Sequence, residues 1–315
     1  MQVTFLGTGA GAPSRTRNVS AIGLQFSQQS AVWLFDCGEG TQQQFMRSPL
    51  RISQLERVFI THLHGDHVFG LPGLLATRSL QQGAATPVTV YGPPGIDEYL
   101  QTCMRVSGTQ FGFPLSVVTV QPGQIYENES VRVVCARLEH RLTDFGYAVI
   151  EKPTPGRFNA EEAARLGVPA GPLYGKLKRG ETITLEDGRE IDGARLVGKP
   201  RPGRKLVYAT DTVFCQAAIE LARDATVLIH EATFAGDDTE LAAKSSHSTT
   251  LQAAQVAREA GVQTLILTHF SARYEAEDGP GVEGLLEQAQ TVFPNTLAAS
   301  DFWSYTVPRP FQSRG

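Results

Sequence analysis

Hydrophobic residues fall along this chain in short, β-branched runs separated by turn residues. Residues 3–6, 21–26, 31–35, 57–60, 88–91, 116–120 and 131–138 are apolar stretches bounded by Gly, Pro, Asn or Asp, as strands are. They predict a first half rich in antiparallel strands. Helical periodicity marks residues 71–81, 96–106, 215–222, 249–260 and 282–292, and Ser248, Thr249 and Thr250 offer capping hydroxyls to the fourth of these. In the second half, strands at 206–209, 227–230 and 264–268 alternate with helices, which predicts an α/β architecture of sheets flanked by helices. Between residues 151 and 205 the rhythm breaks. Pro and Gly are dense there and no apolar period is sustained, so the stretch reads as an insertion in one domain spanning residues 1–315.

Composition sharpens this picture. A chain of 315 residues that is 41% hydrophobic can bury a substantial core. Mean hydropathy is −0.15, and no apolar run approaches the roughly 20 residues that span a bilayer, so no membrane segment is expected. The first cation is Arg15, which leaves the apolar start without the basic flank of a secretory signal. Cys37, Cys103, Cys135 and Cys215 are far apart and form no C-x-x-C pair; reduced cysteines and a cytoplasmic location are expected. The net charge of −4 argues mildly against a nucleic-acid partner, but its distribution does not. Residues 151–205 hold twelve Lys and Arg against eight Asp and Glu. A local basic surplus on an acidic chain is the footprint of a polyanion contact. Lys176, Lys178 and Arg179 lie on its Gly-flanked tip, and Arg195, Lys199, Arg201, Arg204 and Lys205 form an acid-free run near its base.

The chemistry concentrates in Thr61-His62-Leu63-His64-Gly65-Asp66-His67, directly after the strand-like residues 57–60. Alternate side chains of a strand share a face, so His62 and His64 point together while the following turn brings in Asp66 and His67. Imidazole and carboxylate in such density suit Zn²⁺ in a hydrolytic site. His140, Asp211 and His269 each follow a predicted strand, where catalytic groups gather. Taken singly, each is an ordinary turn residue; together with the cluster they are candidate ligands.

The H-x-H-x-D-H motif, followed by a lone His, a lone Asp and a last His, resembles the metallo-β-lactamase superfamily, whose fold is an αββα sandwich. The resemblance implies two Zn²⁺ per chain: one held by His62, His64 and His140, a second by Asp66, His67 and His269, with Asp211 bridging. Further segments resemble the short-form tRNase Z family. His230-Glu231-Ala232-Thr233 is similar to its HEAT box and His247-Ser248-Thr249 to its HST box. Residues 171–180 lie where the family carries a Gly/Pro-rich flexible arm, and Pro13-Ser14-Arg15-Thr16-Arg17-Asn18 is similar to its P-x-K-x-R-N loop, with Arg15 in place of Lys. What this implies is a zinc-dependent endoribonuclease that cuts precursor tRNA at its 3′ end, leaving a tRNA 3′-hydroxyl and a 5′-phosphorylated trailer. It also implies a homodimer in which one subunit's arm, residues 151–205, holds tRNA for the other subunit's site.

Phosphodiester hydrolysis needs an activated nucleophile, charge stabilisation on phosphoryl oxygens and a proton for the leaving alkoxide. Zinc suits the first two tasks. Asp66 is placed to orient the nucleophile or take its proton, and Glu231 with His247 to deliver the third, since a carboxylate holds an imidazole in the donating tautomer. Arg273 is the candidate phosphate contact; His230 is expected in the core instead. A small phosphodiester or sulfate-ester hydrolase would share every ligand but has no need of a basic arm.

Overall fold

A computed structural model of the chain describes residues 1–27, 30–81, 85–275 and 281–309. From the amino end, strands β1 (Gln2–Gly7), β2 (Ala21–Gln25), β3 (Val32–Phe35), β4 (Leu55–Phe59), β5 (Val88–Gly92) and β6 (Leu115–Thr119) follow one another. Strands β7 (Gly123–Glu127), β8 (Val131–Leu138) and β9 (Asp144–Glu151) come next, then a separate hairpin of β10 (Thr182–Thr184) and β11 (Glu190–Asp192). The series closes with β12 (Lys205–Ala209), β13 (Val227–Glu231), β14 (Thr264–Thr268), β15 (Thr296–Ala298) and β16 (Ser304–Thr306). They form two seven-stranded sheets, ordered β16-β1-β2-β3-β4-β5-β6 and β15-β14-β13-β12-β9-β8-β7.

The first half departs from the antiparallel expectation. Strands β1 to β3 do pair antiparallel, but β3, β4, β5 and β6 run parallel. Helices Thr41–Arg47, Leu71–Leu80 and Ile96–Ser107 make the connections between them, and a parallel pair requires such a crossover. The first of these helices reads TQQQFMR, too polar to announce itself.

The sheets face each other across an aromatic core: Phe5, Trp33, Phe35 and Phe59 from one meet Tyr147, Tyr208, Ile229 and Ile266 from the other. Phe59 stacks on Phe35 at 5.0 Å between centroids and meets Tyr147 at 5.5 Å. Outside the second sheet, Ala218, Ala222, Ala253, Ala254 and Ala257 let helices Gln216–Ala222 and Thr250–Ala260 lie close against it. Thr249 and Gln252 form a reciprocal capping box at the start of the latter helix. Leu71, Leu74, Leu75, Ile96 and Leu100 cover the outside of the first sheet. Helix, sheet, sheet, helix is the expected αββα sandwich. Among the described residues no helix is long and apolar enough to cross a membrane.

This sandwich is one compact unit, Met1–Ile150 with Lys205–Pro308; Glu151–Arg204 belong to a second. The second unit has its own small core of Ala163, Val168, Leu177, Ile183, Ile191 and Leu196. Those residues come singly from helices Ala160–Arg165 and Pro172–Lys178, the hairpin and the turns between them, so their spacing shows no period. At its base Arg201 donates its backbone N–H to Thr154 O at 2.8 Å, and Glu151 donates to Arg204 O at 2.9 Å. The basic run there is not free of acids. Arg204 clasps Glu151 with two bonds of 2.7 and 2.5 Å, Arg195 lies 3.5 Å from Asp192, and at the tip Arg179 pairs with Glu181 at 2.6 Å. Turns return acids that are distant in sequence, or adjacent but unremarkable, to these cations. Lys176 and Lys178 remain exposed on the last turn of Pro172–Lys178, where the helix dipole favours cations.

Candidate active site

Parallel strands β12, β13 and β14 end side by side, with Ala209, His230 and Leu267 in register and Glu231 opposite Thr268. Asp211, Glu231 and His269 therefore leave the sheet at one edge. Asp211 and His269 turn sharply, with φ of 52° and 59°, and Asp36 after β3 does the same at 56°. Left-handed backbone is costly for non-glycine residues, and its gathering here re-aims three side chains into one space.

That space holds two overlapping clusters, His62, His64, His140 and Asp211, and Asp66, His67, Asp211 and His269. In the first, His62 Nε2 and His140 Nε2 approach His64 Nδ1 to 2.8 and 3.2 Å, and Asp211 Oδ2 lies 3.6 Å from His62 Nε2. In the second, Asp211 Oδ1 lies 3.3 Å from His67 Nε2 and 3.2 Å from His269 Nε2. Asp66 Oδ2 faces the same two nitrogens at 3.4 and 3.5 Å and accepts the Gly11 N–H at 2.8 Å. All seven ligand candidates read from the sequence thus converge, and Asp211 alone belongs to both groups.

The nitrogens facing away from the clusters are held by residues to which the sequence reading gave no role. His67 Nδ1 donates to Asp36 Oδ2 at 2.8 Å, and Asp36 also accepts from Thr61 N, Thr61 Oγ1 and Tyr208 OH. Thr61 Oγ1, engaged as donor to Asp36, accepts from His62 Nδ1 at 3.0 Å. His140 Nδ1 donates to Ser246 O at 2.8 Å, and His269 Nδ1 to Thr233 Oγ1 at 2.9 Å. Such partners fix the tautomer, so each of these rings turns an Nε2 lone pair inward. Asp36 stands directly after β3, the same strand-end position that marked Asp211 and His269.

Inward-facing lone pairs and carboxylate oxygens at these distances repel unless a cation lies among them. His67 Nε2 and His269 Nε2 are buried and have no hydrogen-bond partner among the described residues. Burial opposes a charge on His67, yet Asp211, Asp36 and Asp66 together push its pKa well up; His62 is pushed well down by burial and by His67. Buried Asp144, 3.3 Å from His62 Nδ1, is pushed up by burial and by Asp211 and Asp36. The carboxylates thus demand positive charge that protons on these crowded rings supply poorly. Nitrogen and oxygen donors with an ordered outer shell fit divalent zinc.

Beside this centre His247 Nδ1 donates to Glu231 Oε1 at 2.9 Å, while Thr212 N and Thr233 Oγ1 donate to the same carboxylate at 2.7 and 2.6 Å. Glu231 also groups with His247 and His269 as a conceivable ligand set. Its oxygens are already taken by those three donors. Burial acts against both charges, but their attraction prevails: Glu231 is held low and His247 is pushed up to about 9. His247 packs against His269 and His140 with centroids 5.4 and 5.1 Å apart. Arg273 is exposed on the turn after His269, its guanidinium 5.3 Å above the Phe234 ring. His230 is buried and donates from Nδ1 to Glu231 O at 2.8 Å, outside the clusters. In the 13–18 loop, Arg17 turns inward to Thr8 Oγ1 and Ala299 O at 2.7 and 2.8 Å, whereas Arg15 is exposed.

Comparisons with known proteins bear on the family. Residues 1–152 match the family described as anti-Pycsar protein Apyc1, and residues 177–270 match the beta-lactamase superfamily domain. Ribonuclease Z of Trichodesmium erythraeum (strain IMS101) is 55% identical over 309 residues, 98% of this chain and 96% of that protein. Ribonuclease Z of Brevibacillus brevis (strain 47) is 55% identical over 310 residues, 98% of each. The crystal structure of the short form of human tRNase Z superposes with a TM-score of 0.71 at 31% identity, covering 98% of this chain and 100% of that one. A metallo-beta-lactamase fold protein of Bacillus subtilis, 19% identical with a TM-score of 0.67 over 96% and 98% of the two chains, shares the fold. On this identity over nearly its whole length, the chain belongs to the ribonuclease Z family and carries the metallo-β-lactamase fold.

Proposed function

We propose that this protein is a zinc-dependent endoribonuclease that hydrolyses one phosphodiester at the 3′ end of precursor tRNA, leaving a tRNA 3′-hydroxyl and a 5′-phosphorylated trailer. The observation that carries the reading is a pair of ligand clusters joined through Asp211 beside a buried Glu231–His247 pair, in a chain 55% identical to proteins named ribonuclease Z. His62, His64 and His140 would hold one Zn²⁺, Asp66, His67 and His269 the other, and Asp211 both. When bound, the metal pair makes water nucleophilic near neutral pH and offsets charge developing on the phosphoryl oxygens.

The chain's own groups do the rest. Asp66, fixed by the Gly11 N–H, orients the attacking water and takes its proton. His247, kept protonated by Glu231, hands a proton from Nε2 to the leaving 3′-oxygen, because its Nδ1 proton is committed to the carboxylate. Arg273, held over Phe234, offers its fork to a phosphate oxygen. Lys176, Lys178 and Arg179 contact the tRNA backbone without reading its bases. The enzyme works in the cytoplasm as a homodimer whose partner arms hold the substrate.

Cleavage of a 3′-extended pre-tRNA beside bis-p-nitrophenyl phosphate, each with and without chelator, tests the reading. Metal-dependent cleavage of both supports it; hydrolysis of the small ester with pre-tRNA left intact favours a small phosphodiester or sulfate-ester hydrolase.

A further inference from the structure

Phe69 follows the candidate ligand His67 by two residues, yet its side chain is turned outward and it is 63% exposed. Its place is fixed. The Phe69 N–H donates to Gly65 O at 2.9 Å, and the ring lies so close over Gly65 that a Cβ there would stand 2.3 Å from Cε2. One side of the ring is therefore backed by the ligand motif itself. The rest borders a cavity of about 330 Å³ that Pro13, Glu39, His64 and Asp66 also line. A ring left out of the core forgoes the stabilisation of burial, and here it opens onto the candidate hydrolytic centre. Glu39 is exposed, and its carboxylate has no partner among the described residues; only its backbone carbonyl is used, by Asn18 Nδ2.

We propose that Phe69 is the stacking platform for the nucleobase flanking the scissile phosphate, and that Glu39 accepts a hydrogen bond from the exocyclic amine of that base. The inference rests on the endoribonuclease reading and adds a specificity device to it. Bases of an unpaired 3′ extension are free to splay and stack on an aromatic face, and every base has such a face. A carboxylate accepts from the amino groups of cytosine, adenine or guanine, whereas uracil offers none. Continuity of this cavity with His64 and Asp66 places its occupant next to the bond being cut.

The test uses 3′-extended pre-tRNAs with an abasic nucleotide on the 5′ or the 3′ side of the cleavage point, and with each base at the position found sensitive. On intact substrate Phe69→Ala should lower kcat/KM roughly five- to a hundred-fold, the usual worth of one stacked base. Phe69→Trp should restore it; Phe69→Leu, which fills apolar space without a π face, should not. On one of the two abasic substrates the native protein and Phe69→Ala should be equally slow. Glu39→Gln should flatten a native preference against uracil at that position. Equal efficiency of native protein and Phe69→Ala on intact substrate overturns the inference, as does full rescue by leucine or losses that simply add on both abasic substrates. Failure of the native protein to cleave any pre-tRNA is a different result, which defeats the endoribonuclease reading and this inference with it.

Discussion

His247 Nδ1 lies 2.9 Å from Glu231 Oε1, and that bond commits the Nδ1 proton to the carboxylate and leaves Nε2 as the ring's other polar atom. Burial opposes the charge on Glu231, but attraction to His247 and the hydrogen bonds from His247, Thr212 and Thr233 hold its pKa low, and the carboxylate keeps His247 charged at neutral pH. Replacing His247 by Ala is expected to slow pre-tRNA cleavage about 10² to 10⁴-fold while leaving metal content unchanged. Loss of metal in that variant would make His247 a ligand.

The same bond sets a pH dependence. Burial lowers the affinity of His247 for its proton, but Glu231 more than offsets this and pushes the pKa up to about 9. The donor is therefore charged below that pH and is lost as pH rises through it. The rate of the chemical step should fall above about pH 9, and in His247→Ala this alkaline limb should disappear. A limb that persists in the variant would assign the titration to another group.

Asp211 serves both clusters, so its removal should disturb both. Elemental analysis of the native protein is expected to approach two transition-metal ions per chain, and Asp211→Ala to fall clearly below that with hydrolysis abolished. Chelation should also lower Tm, because inward-facing imidazoles and carboxylates lose the cation that reconciles them. Full activity in a metal-free preparation would rule out this account of the site.

Asp36 accepts from Thr61, Tyr208 and His67 at once, and so reaches His67 directly and His62 through Thr61 Oγ1. Asp36→Asn can keep only part of that pattern. It should weaken zinc affinity on the order of 10 to 100-fold, the usual cost of removing an outer partner, which competition with a chromophoric chelator would measure. An unchanged affinity would make Asp36 a purely structural carboxylate.

The unit Glu151–Arg204 is expected to select substrate and not to perform chemistry. Replacing residues 155–200 by a short Gly-Ser turn preserves the ladder between Thr154 and Arg201 and the Glu151–Arg204 pair. The variant should hydrolyse bis-p-nitrophenyl phosphate nearly normally and bind pre-tRNA far more weakly. Neutralising Lys176, Lys178 and Arg179 should cost less and flatten the salt dependence, since fewer counterions are released. Arg179 should contribute least of the three, because Glu181 already compensates it. An unaltered kcat/KM for pre-tRNA after the replacement would leave the unit without the role assigned to it. Light scattering should in addition report a dimer at micromolar concentration.

Much of this site was legible in the sequence because its candidate ligands obey local rules. The H-x-H-x-D-H run sits on one strand end, and His140, Asp211 and His269 each follow an apolar run whose period is clear. The outer shell was not legible in the same way. Asp36 follows Val32–Phe35 just as Asp211 follows Lys205–Ala209, but no neighbouring histidine in sequence draws attention to it; its partners Thr61 and Tyr208 arrive only when the sheets pack. Asp144 begins β9 and looks like any turn acid until burial beside His62 isolates it. In the 151–205 stretch, apolar residues such as Val168, Leu177 and Ile191 come singly from separate elements, so a core existed without a periodic trace. Parallel pairing of β3 to β6 was hidden for a related reason, since the polar helix Thr41–Arg47 that makes one crossover buries only Thr41, Gln44 and Phe45.

The most direct measurement is to map the ends produced from one 3′-extended precursor tRNA. The account predicts a single cut at the 3′ boundary of the tRNA, a 3′-hydroxyl on the body and a 5′-phosphate on the trailer, abolished by chelator and restored by Zn²⁺. A 2′,3′-cyclic phosphate at the cut, cleavage indifferent to chelator, or an untouched precursor in the presence of zinc would contradict it.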